Sequence, residues 1–148
     1  MKTLITLIAI ISLSLSASAQ NGYSFSTSSR GSFTNKVASE FEQVELDEEQ
    51  TNIYDFSFTD KMLVHHIVYS DKSVCQFYKI TKIDVLDEFS YYIEVTSGAS
   101  GSQYYYYLSN VGGIISFYQL DSVSEDDKFS GTRFGGIGVI KLITFEQE

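Results

Sequence analysis

Short runs of strand-forming residues, joined by very short connections, constrain this chain more than any other feature of its sequence. Beyond residue 53 the runs are rich in Val, Ile, Tyr, Phe and Thr, and they are interrupted by Asp, Ser, Gly or Asn. The connections are mostly two to six residues long, too short for the crossover that joins parallel strands. Consecutive strands should therefore pair antiparallel and form a meander.

The fold class predicted from this pattern is all-β, an antiparallel meander of about 8–10 strands. The strands are expected near Tyr23–Ser28, Phe41–Leu46, Ile53–Phe58, Met62–Ser70, Val74–Ile80, Ile83–Leu86, Tyr91–Ser97, Tyr104–Asn110, Ile114–Leu120 and Ile137–Phe145. Residues 37–45 could instead form a short helix, because their apolar residues also fit a helical stripe. The Gly-rich residues 131–138 permit a sharp excursion before the last strand.

Two architectures remain open, an up-and-down barrel and a two-layer sandwich. Proline, which can block an exposed sheet edge, is absent, and closure into a barrel removes edges altogether. The general plan resembles small exported bacterial β-proteins, including lipocalin-like barrels, over roughly residues 53–120. The lipocalin G-x-W signature is missing because the chain has no Trp, so the resemblance assigns no binding residue.

Residues 1–19 have the pattern of a cleavable secretory signal. Lys2 provides a positive start, an apolar segment follows, and small residues end at Ala19. The apolar segment is about 12 residues long, shorter than the roughly 20 needed to span a bilayer, so no membrane span is expected. The predicted organisation is a signal peptide, 1–19, and one β domain, 20–148, whose least defined part is 20–52. The predicted location is secreted or periplasmic.

The net charge of −9 excludes some partners. Nucleic-acid binding is not expected, because phosphates must be neutralised by Lys and Arg. Residues 37–60 hold eight acidic residues and no Lys or Arg, and a second acidic cluster spans residues 121–127. The two clusters are interpreted as solvated turns that keep the protein soluble. Calcium binding is the alternative, although neither cluster has the spacing of a calcium loop.

The hairpin of residues 91–110 carries the candidate ligand-binding residues. Alternation places Tyr91, Ile93 and Val95 on one face together with Tyr104, Tyr106 and Leu108. Pairing Val95 with Tyr106 makes this face the interior one, and the opposite face then carries Tyr92, Tyr105 and Tyr107. Tyrosines in an interior need partners for their hydroxyls, which hints at a hydrated or ligand-filled barrel.

A second candidate site is His66 with Cys75. A two-residue turn at Asp71-Lys72 would pair Val68 with Cys75 and place His66 diagonally from that thiol. Such a pair could bind zinc or activate a thiolate, but no further ligand or orienting group is evident. A buried, unreactive Cys75 and a packed histidine are the favoured interpretation.

Three functions follow from these residues. The first is a non-enzymatic exported barrel or sandwich that binds a small apolar or mixed ligand, with Tyr91, Tyr104, Tyr106 and His66 as candidate contacts. The second is an interaction module that uses an exposed face bearing Tyr92, Tyr105 and Tyr107 to bind a protein partner or surface. The third is a metal- or Cys/His-dependent hydrolase. No phosphate loop or dinucleotide fingerprint occurs, so no cofactor and no enzymatic activity are predicted.

The leader generates the first testable prediction. Protein recovered after export should begin at Gln20, in cyclised or free form, because cleavage follows the small residue Ala19. Mass spectrometry of the intact protein and of its N-terminal peptide would measure this. Retention of Met1 in protein from a cytoplasmic fraction would contradict both the cleavage site and the predicted location.

Overall fold

The computed structural model describes residues 22–123 and 128–141, which form a closed barrel of eight antiparallel strands with one extra strand. The strands are β1 (Gly22–Lys36), β2 (Glu48–Ser57), β3 (Met62–Val68), β4 (Ser73–Asp87), β5 (Ser90–Ser97), β6 (Gln103–Val111), β7 (Ile114–Val123), β8 (Phe129–Gly135) and β9 (Gly138–Lys141). The prediction of an all-β meander is confirmed, and its barrel alternative is the one that forms.

β1 closes the barrel because it pairs along both of its edges. Its first part lies antiparallel to β2, beginning where Gly22 faces Ser57. Its second part lies antiparallel to β8, ending where Lys36 faces Phe129. A bulge between Thr27 and Ser29 lies where β1 begins to pair with β8 on its other edge, while β2 stays paired with β1 as far as Arg30. Bulges are expected where a strand must bend. β9 then continues the line of β8 beside the first part of β1.

The Gly-rich residues 131–138 do not form the predicted excursion. They include most of β8, a strand that the sequence interpretation missed, and the chain breaks only between β8 and β9. Gly136 lies at this break with a φ of +61°, a conformation that favours glycine. Gly131 permits close strand pairing, because a Cβ there would lie 2.0 Å from the backbone oxygen of Gln119.

Other predicted boundaries also differ from the structure. Residues 74–80 and 83–86 belong to one 15-residue strand, β4, with a bulge between Ile80 and Lys82. The strand expected over Phe41–Leu46 is not formed, and a 3-10 helix spans Ala38–Gln43, within the range 37–45 given for a helix. The signal segment 1–19 and residues 142–145 of the last predicted strand lie outside the described residues.

The predicted register of two hairpins is wrong by two residues. Tyr104 faces Val95 rather than Ser97, and Tyr106 faces Ile93 rather than Val95. In the β3–β4 hairpin, Cys75 faces His66 rather than Val68. The β3–β4 connection is longer than the predicted two-residue turn, because the pairing ends at Val68 and Ser73. The β5–β6 connection keeps its predicted length and is displaced along the chain. A shift of two keeps every side chain on its predicted face. The assignment of interior and exterior faces therefore survives the error in register.

Aromatic rings fill the interior of the barrel. Phe117 contacts several of the others, with ring centroids 4.7 Å from Tyr54, 5.0 Å from Phe25 and 5.2 Å from Tyr106. The buried interior residues are Tyr23, Phe25, Tyr54, Phe56, Leu63, Tyr78, Ile80, Ile93, Val95, Tyr106, Leu108, Ile115, Phe117 and Phe134. Large rings at edge-to-face and offset distances pack this core.

A second cluster lies outside the barrel wall, under the 3-10 helix. It consists of Phe33, Phe41, Val44, Tyr118 and Leu120. Arg133 fastens the helix to β8, because its guanidinium donates to the backbone oxygens of Glu42 (3.0 Å) and Val44 (2.8 Å) and pairs with the Glu42 carboxylate at 3.0 Å. The Tyr118 hydroxyl also donates to that carboxylate. No helix among the described residues is long and apolar enough to cross a membrane.

The two faces of β6 generate the second prediction. Tyr106 is 2% exposed inside the barrel, whereas its neighbour Tyr105 is half-buried outside. Tyr106→Ala should lower the free energy of unfolding by about 3–5 kcal/mol, because it leaves a cavity among the rings. Tyr105→Ala is the matched control and should cost about 1 kcal/mol. Urea denaturation of both variants measures the difference, and equal costs would contradict the assignment of faces.

Candidate functional site

The two ends of the barrel interior differ in chemistry. At one end the rings of Tyr23, Phe58 and Tyr91 form a triangle with centroid distances of 5.5 to 5.9 Å. This triangle closes the end, and the Tyr23 side chain forms hydrogen bonds there with those of Tyr91 and Asn110. The other end gathers polar side chains from β2, β3, β4 and β6, and we call it the polar mouth. Its members are Asn52, Tyr54, His65, Gln76, Tyr78 and Tyr104.

Strand alternation brings these residues together. Asn52 and Tyr54 are two residues apart on β2 and therefore share its inner face. His65 faces Tyr54 across the β2–β3 pair, and Gln76 faces His65 across the β3–β4 pair. Directly opposed residues of antiparallel strands lie on one face, so the inner position of Tyr54 fixes those of the others.

His65 is held on two sides. Its ring stacks on that of Tyr54 with a centroid distance of 4.3 Å and an interplanar angle of 10°. Its Nε2 lies 2.8 Å from the side-chain oxygen of Asn52, which is 2% exposed. Because an amide oxygen accepts only, Nε2 carries the proton in this contact and Nδ1 is the acceptor of the neutral ring.

The pKa of His65 is lowered to about 4. Burial is the main cause, a hydrogen bond with Gln76 opposes it by raising the pKa, and the neighbouring His66 contributes to the lowering. The ring is therefore neutral at pH 7. It offers one donor and one acceptor to a ligand rather than a positive charge. An imidazole with so low a pKa is a weak base, so proton abstraction at neutral pH is not its natural role.

Four tyrosine hydroxyls converge on the polar mouth. Burial is the main cause that raises the pKa of Tyr54, Tyr78 and Tyr106, and the proximity of the other tyrosines raises these pKa values further. The Tyr78 hydroxyl donates to the side-chain oxygen of Gln76 at 2.6 Å, and its ring packs edge-on against Tyr104 at 5.6 Å. The hydroxyls of Tyr54, Tyr78 and Tyr106 stay protonated at physiological pH, so each can donate and accept hydrogen bonds.

A buried hydroxyl without a partner lies beside this group. Thr27 faces Asn52 across the β1–β2 pair, is fully buried, and its hydroxyl has no hydrogen-bond partner among the described residues. A buried polar atom without a partner costs stability. Farther along the same strands a groove of about 680 Å³ opens at the rim, lined by Ser28, Ser29, Arg30, Glu48, Glu49, Gln50, Thr51, Val68 and Tyr69.

The structure brings together two of the four residues proposed to bind ligand. Tyr104 and Tyr106 both direct their hydroxyls to the polar mouth. Tyr91 is in the aromatic triangle at the closed end, four residues and about 13 Å along β5 from the position opposite Tyr104. His66 lies on the outer surface, 3.5 Å from the Asp55 carboxylate. Its neighbour His65 takes the inward position.

Some of the residues that the sequence analysis missed could have been predicted from the sequence. Alternation along the predicted strand Met62–Ser70 puts His65 on the same face as Leu63 and Ile67. Asn52, Tyr54, Gln76 and Tyr78 could be recognised only through strand pairing, because their positions depend on the register between β2, β3 and β4.

The outer tyrosines Tyr92, Tyr105 and Tyr107 are half-buried and pack beside the cluster under the 3-10 helix. Tyr92 and Tyr105 stack at 6.1 Å, and the Tyr107 ring lies 5.8 Å from Tyr118. The three do share the face predicted for them. The 3-10 helix packs on the same side of the wall, so the face is only partly open to a partner.

The prediction of a buried Cys75 is wrong, because its side chain is exposed. It sits on the outer surface directly opposite His66, where the β4 strand turns its odd-numbered residues outward. Within the described residues no group of three or more His, Cys, Asp or Glu side chains is placed to hold a metal ion. Residues 124–127 of the second acidic cluster lie outside the described residues.

Comparison of this chain with protein-family models, with curated proteins and with solved structures finds no match. The polar mouth therefore has to be interpreted from its own chemistry.

His65 generates the third prediction. Its folded-state pKa lies below the ordinary value of 6.5, so the unfolded chain binds a proton more readily. The stability that this difference contributes is complete above pH 6.5 and is lost as the pH falls towards 4. Between pH 7 and pH 4 the native protein should lose about 2–3 kcal/mol more than the His65→Gln variant, allowing for partial exposure of the ring.

Urea denaturation of both proteins across this range measures the effect. The difference between the two profiles isolates His65 from the carboxylates that titrate nearby. His66→Gln is the matched control at the adjacent, outward position and should keep most of the pH dependence, because burial, the main cause of the low pKa of His65, is unchanged. Identical profiles for the native protein and His65→Gln would contradict the buried, neutral state of His65.

Proposed function

We propose that this barrel is a non-enzymatic binding protein that takes a small, uncharged ligand of mixed character at the polar mouth. The observation that carries the proposal is the convergence of four tyrosine hydroxyls with the His65–Asn52 pair at one end of the interior. Binding sites are commonly concave, largely apolar, and equipped with a few convergent polar groups.

The location at the mouth, rather than deep inside, follows from packing. Tyr54, Phe56 and Phe117 fill the centre with rings at contact distance, so a ligand there would have to displace core side chains. Tyr54 and Tyr106 are almost fully buried, whereas His65 and Tyr104 are half-buried and therefore accessible to a ligand. A ligand with an aromatic or aliphatic body and one or two hydroxyl or carbonyl groups matches this surface.

The charge of the surroundings favours an uncharged ligand. Arg30 is paired with Glu48 at 2.6 Å at the rim, and Glu49 stands in the same groove. The chain as a whole carries −9, which repels anions. His65 is neutral at pH 7 and adds no positive charge.

A binding role is favoured over a catalytic one by the groups that His65 contacts. Its partner is the amide of Asn52, and an amide neither activates a nucleophile nor relays a proton as a carboxylate does. Cys75, the other nucleophilic candidate, lies on the outer surface beside His66 rather than in the mouth. The hydrolase alternative therefore has no set of side chains with assigned roles.

The fourth prediction tests this proposal with phenol as an uncharged aromatic probe and benzoate as its charged counterpart. Phenol should shift the side-chain amide signals of Asn52 and Gln76 in two-dimensional NMR spectra, with a dissociation constant in the millimolar range expected of a fragment. Benzoate should bind at least about tenfold more weakly, because the residues that make up the polar mouth include no Lys or Arg to pair with its carboxylate.

Tyr78→Phe and Tyr91→Phe form a matched pair for this titration. Each removes one hydroxyl from an interior tyrosine, but only Tyr78 lies at the polar mouth. Tyr78→Phe should weaken phenol binding, whereas Tyr91→Phe should not. Shifts confined to residues around Tyr92 and Tyr105 would contradict the proposal and favour the interaction-module alternative, and an absence of shifts would leave the mouth without a binding role.

A further inference from the structure

β4 is much longer than its neighbour β3, and this difference leaves part of it at an edge. β3 pairs with β4 only as far as Met62 opposite Lys79, and the last backbone contact on that side joins the Ile80 N–H to the Lys61 oxygen at 2.9 Å. β4 nevertheless continues to Asp87, paired with β5 on its other side. Within the described residues, no strand pairs with the β3-side edge of residues 81–87.

This edge is open and partly apolar. Val85 is 66% exposed and Leu86 56%, and a pocket of about 230 Å³ lies beside the edge, lined by Lys61 and residues 80–83. An unpaired edge with exposed apolar residues is a template for an added strand. The occupant that the sequence of this edge fits best is another copy of the same segment.

Symmetry restricts how two copies can pair. In an antiparallel strand pair, directly opposed residues lie on the same face of the sheet. If a two-fold axis relates the two strands, it must therefore pass between one residue and the same residue of the second copy. An axis at residue 82 opposes Lys82 to itself, and an axis at residue 84 opposes Asp84 to itself. Both registers bring like charges together.

An axis at residue 83 pairs opposite charges instead. Ile83 then faces the second copy's Ile83, and Lys82 faces the second copy's Asp84, once on each side of the axis. Thr81 faces the second copy's Val85. An axis at residue 85 would set Asp84 against Leu86 and Ile83 against Asp87, which buries carboxylates beside apolar side chains.

Lys82 and Asp84 are placed to form these ion pairs with a second copy. Both project from the outer face of β4, and in the single chain they pair with each other at 2.8 Å, with side chains 53% and 43% exposed. Lys82 lies 3.9 Å from Glu94 as well. A lysine and a bulge often protect an edge from pairing, and β4 has both. Here the lysine is matched by Asp84, and the bulge at residue 81 lies at the limit of the pairing.

We infer that residues 81–85 of β4 pair antiparallel with the same segment of a second copy, about the two-fold axis at Ile83, to form a dimer. About five residue pairs lie in the new strand pair, the length of an ordinary strand. The area is smaller than the roughly 1,600 Å² of a standard stable interface. The dimer therefore forms at tens to hundreds of micromolar protein and dissociates on dilution.

Charge reversal tests the register by sedimentation velocity of the purified protein over this concentration range. Lys82→Asp and Asp84→Lys should each weaken association by about tenfold or more, because each creates two like-charge pairs across the axis. The double variant Lys82→Asp/Asp84→Lys restores both pairs and should dimerise like the native protein. Lys79→Asp is the control, because β4 is paired on both sides at residue 79.

The three charge variants distinguish the effect of specific ion pairs on association from the effect of net charge. The two single reversals change the net charge in opposite directions, so general repulsion would strengthen association in Asp84→Lys and weaken it in Lys82→Asp. Weakening in both, with rescue in the double variant, supports the register. A native protein that stays monomeric throughout, or single variants that dimerise unchanged through another surface, would overturn it.

Hydrogen exchange of the native protein gives a second measurement that needs no variant. Backbone amides of residues 81–85 should become more protected as the protein concentration rises, while those around Gly98–Ser102 should not. Concentration-independent exchange at residues 81–85 would overturn the proposal even if a variant failed to fold.

Discussion

Closure of the sheet through β1 is the constraint on which the rest of the structure depends. A meander of this length without proline would leave two long strand edges exposed. β1 removes both, because it pairs with β2 along one edge and with β8 along the other. Once the sheet is closed, alternate residues of every strand must share one interior, and that interior has to be filled.

The filling of the interior decides where chemistry can occur. Rings from β1, β2, β6, β7 and β8 meet at the centre around Phe117, and close packing leaves large side chains no alternative positions. The tyrosines among them must therefore direct their hydroxyls along the barrel axis. At one end Tyr23 and Tyr91 are closed in by Phe58, whereas at the other Tyr54, Tyr78 and Tyr104 stand beside His65 and Asn52.

Much of this fold could be predicted from alternation, because a period of two residues fixes which side chains share a face. The inward placement of Tyr104 and Tyr106 and the outward placement of Tyr105 and Tyr107 survive the error in pairing, because alternation alone fixes which residues share a face. Register is different, since it depends on the loop conformation at the end of each hairpin. The errors in the β3–β4 and β5–β6 hairpins were both shifts of two, the smallest shift that leaves every face unchanged.

The candidate site was harder to predict because it is assembled from separate strands. His65 reaches Asn52 and Gln76 only in the observed register of β2, β3 and β4, and no local pattern encodes that contact. β8 was missed for a related reason. The glycines of β8 are typical of a turn, and the sequence was interpreted in that way. Gly131, however, lies where a side chain would collide with the backbone of β7. The glycine is therefore needed for the close approach of two strands and not for a reversal of the chain.

Two strands, β1 and β4, are each 15 residues long. They differ in whether the part that extends beyond a neighbouring strand is covered. A strand longer than its neighbours must overhang them. Beyond Arg30, β1 loses β2 as a partner, and the chain itself returns to cover the overhang: the Asp47 N–H bonds the Arg30 oxygen, and Arg133 holds the preceding helix in place. β4 beyond Ile80 has no such cover among the described residues. Its exposed edge follows directly from the geometry that closes the barrel, so a second strand arriving there would complete the sheet in the way that residues 44–47 complete it at β1.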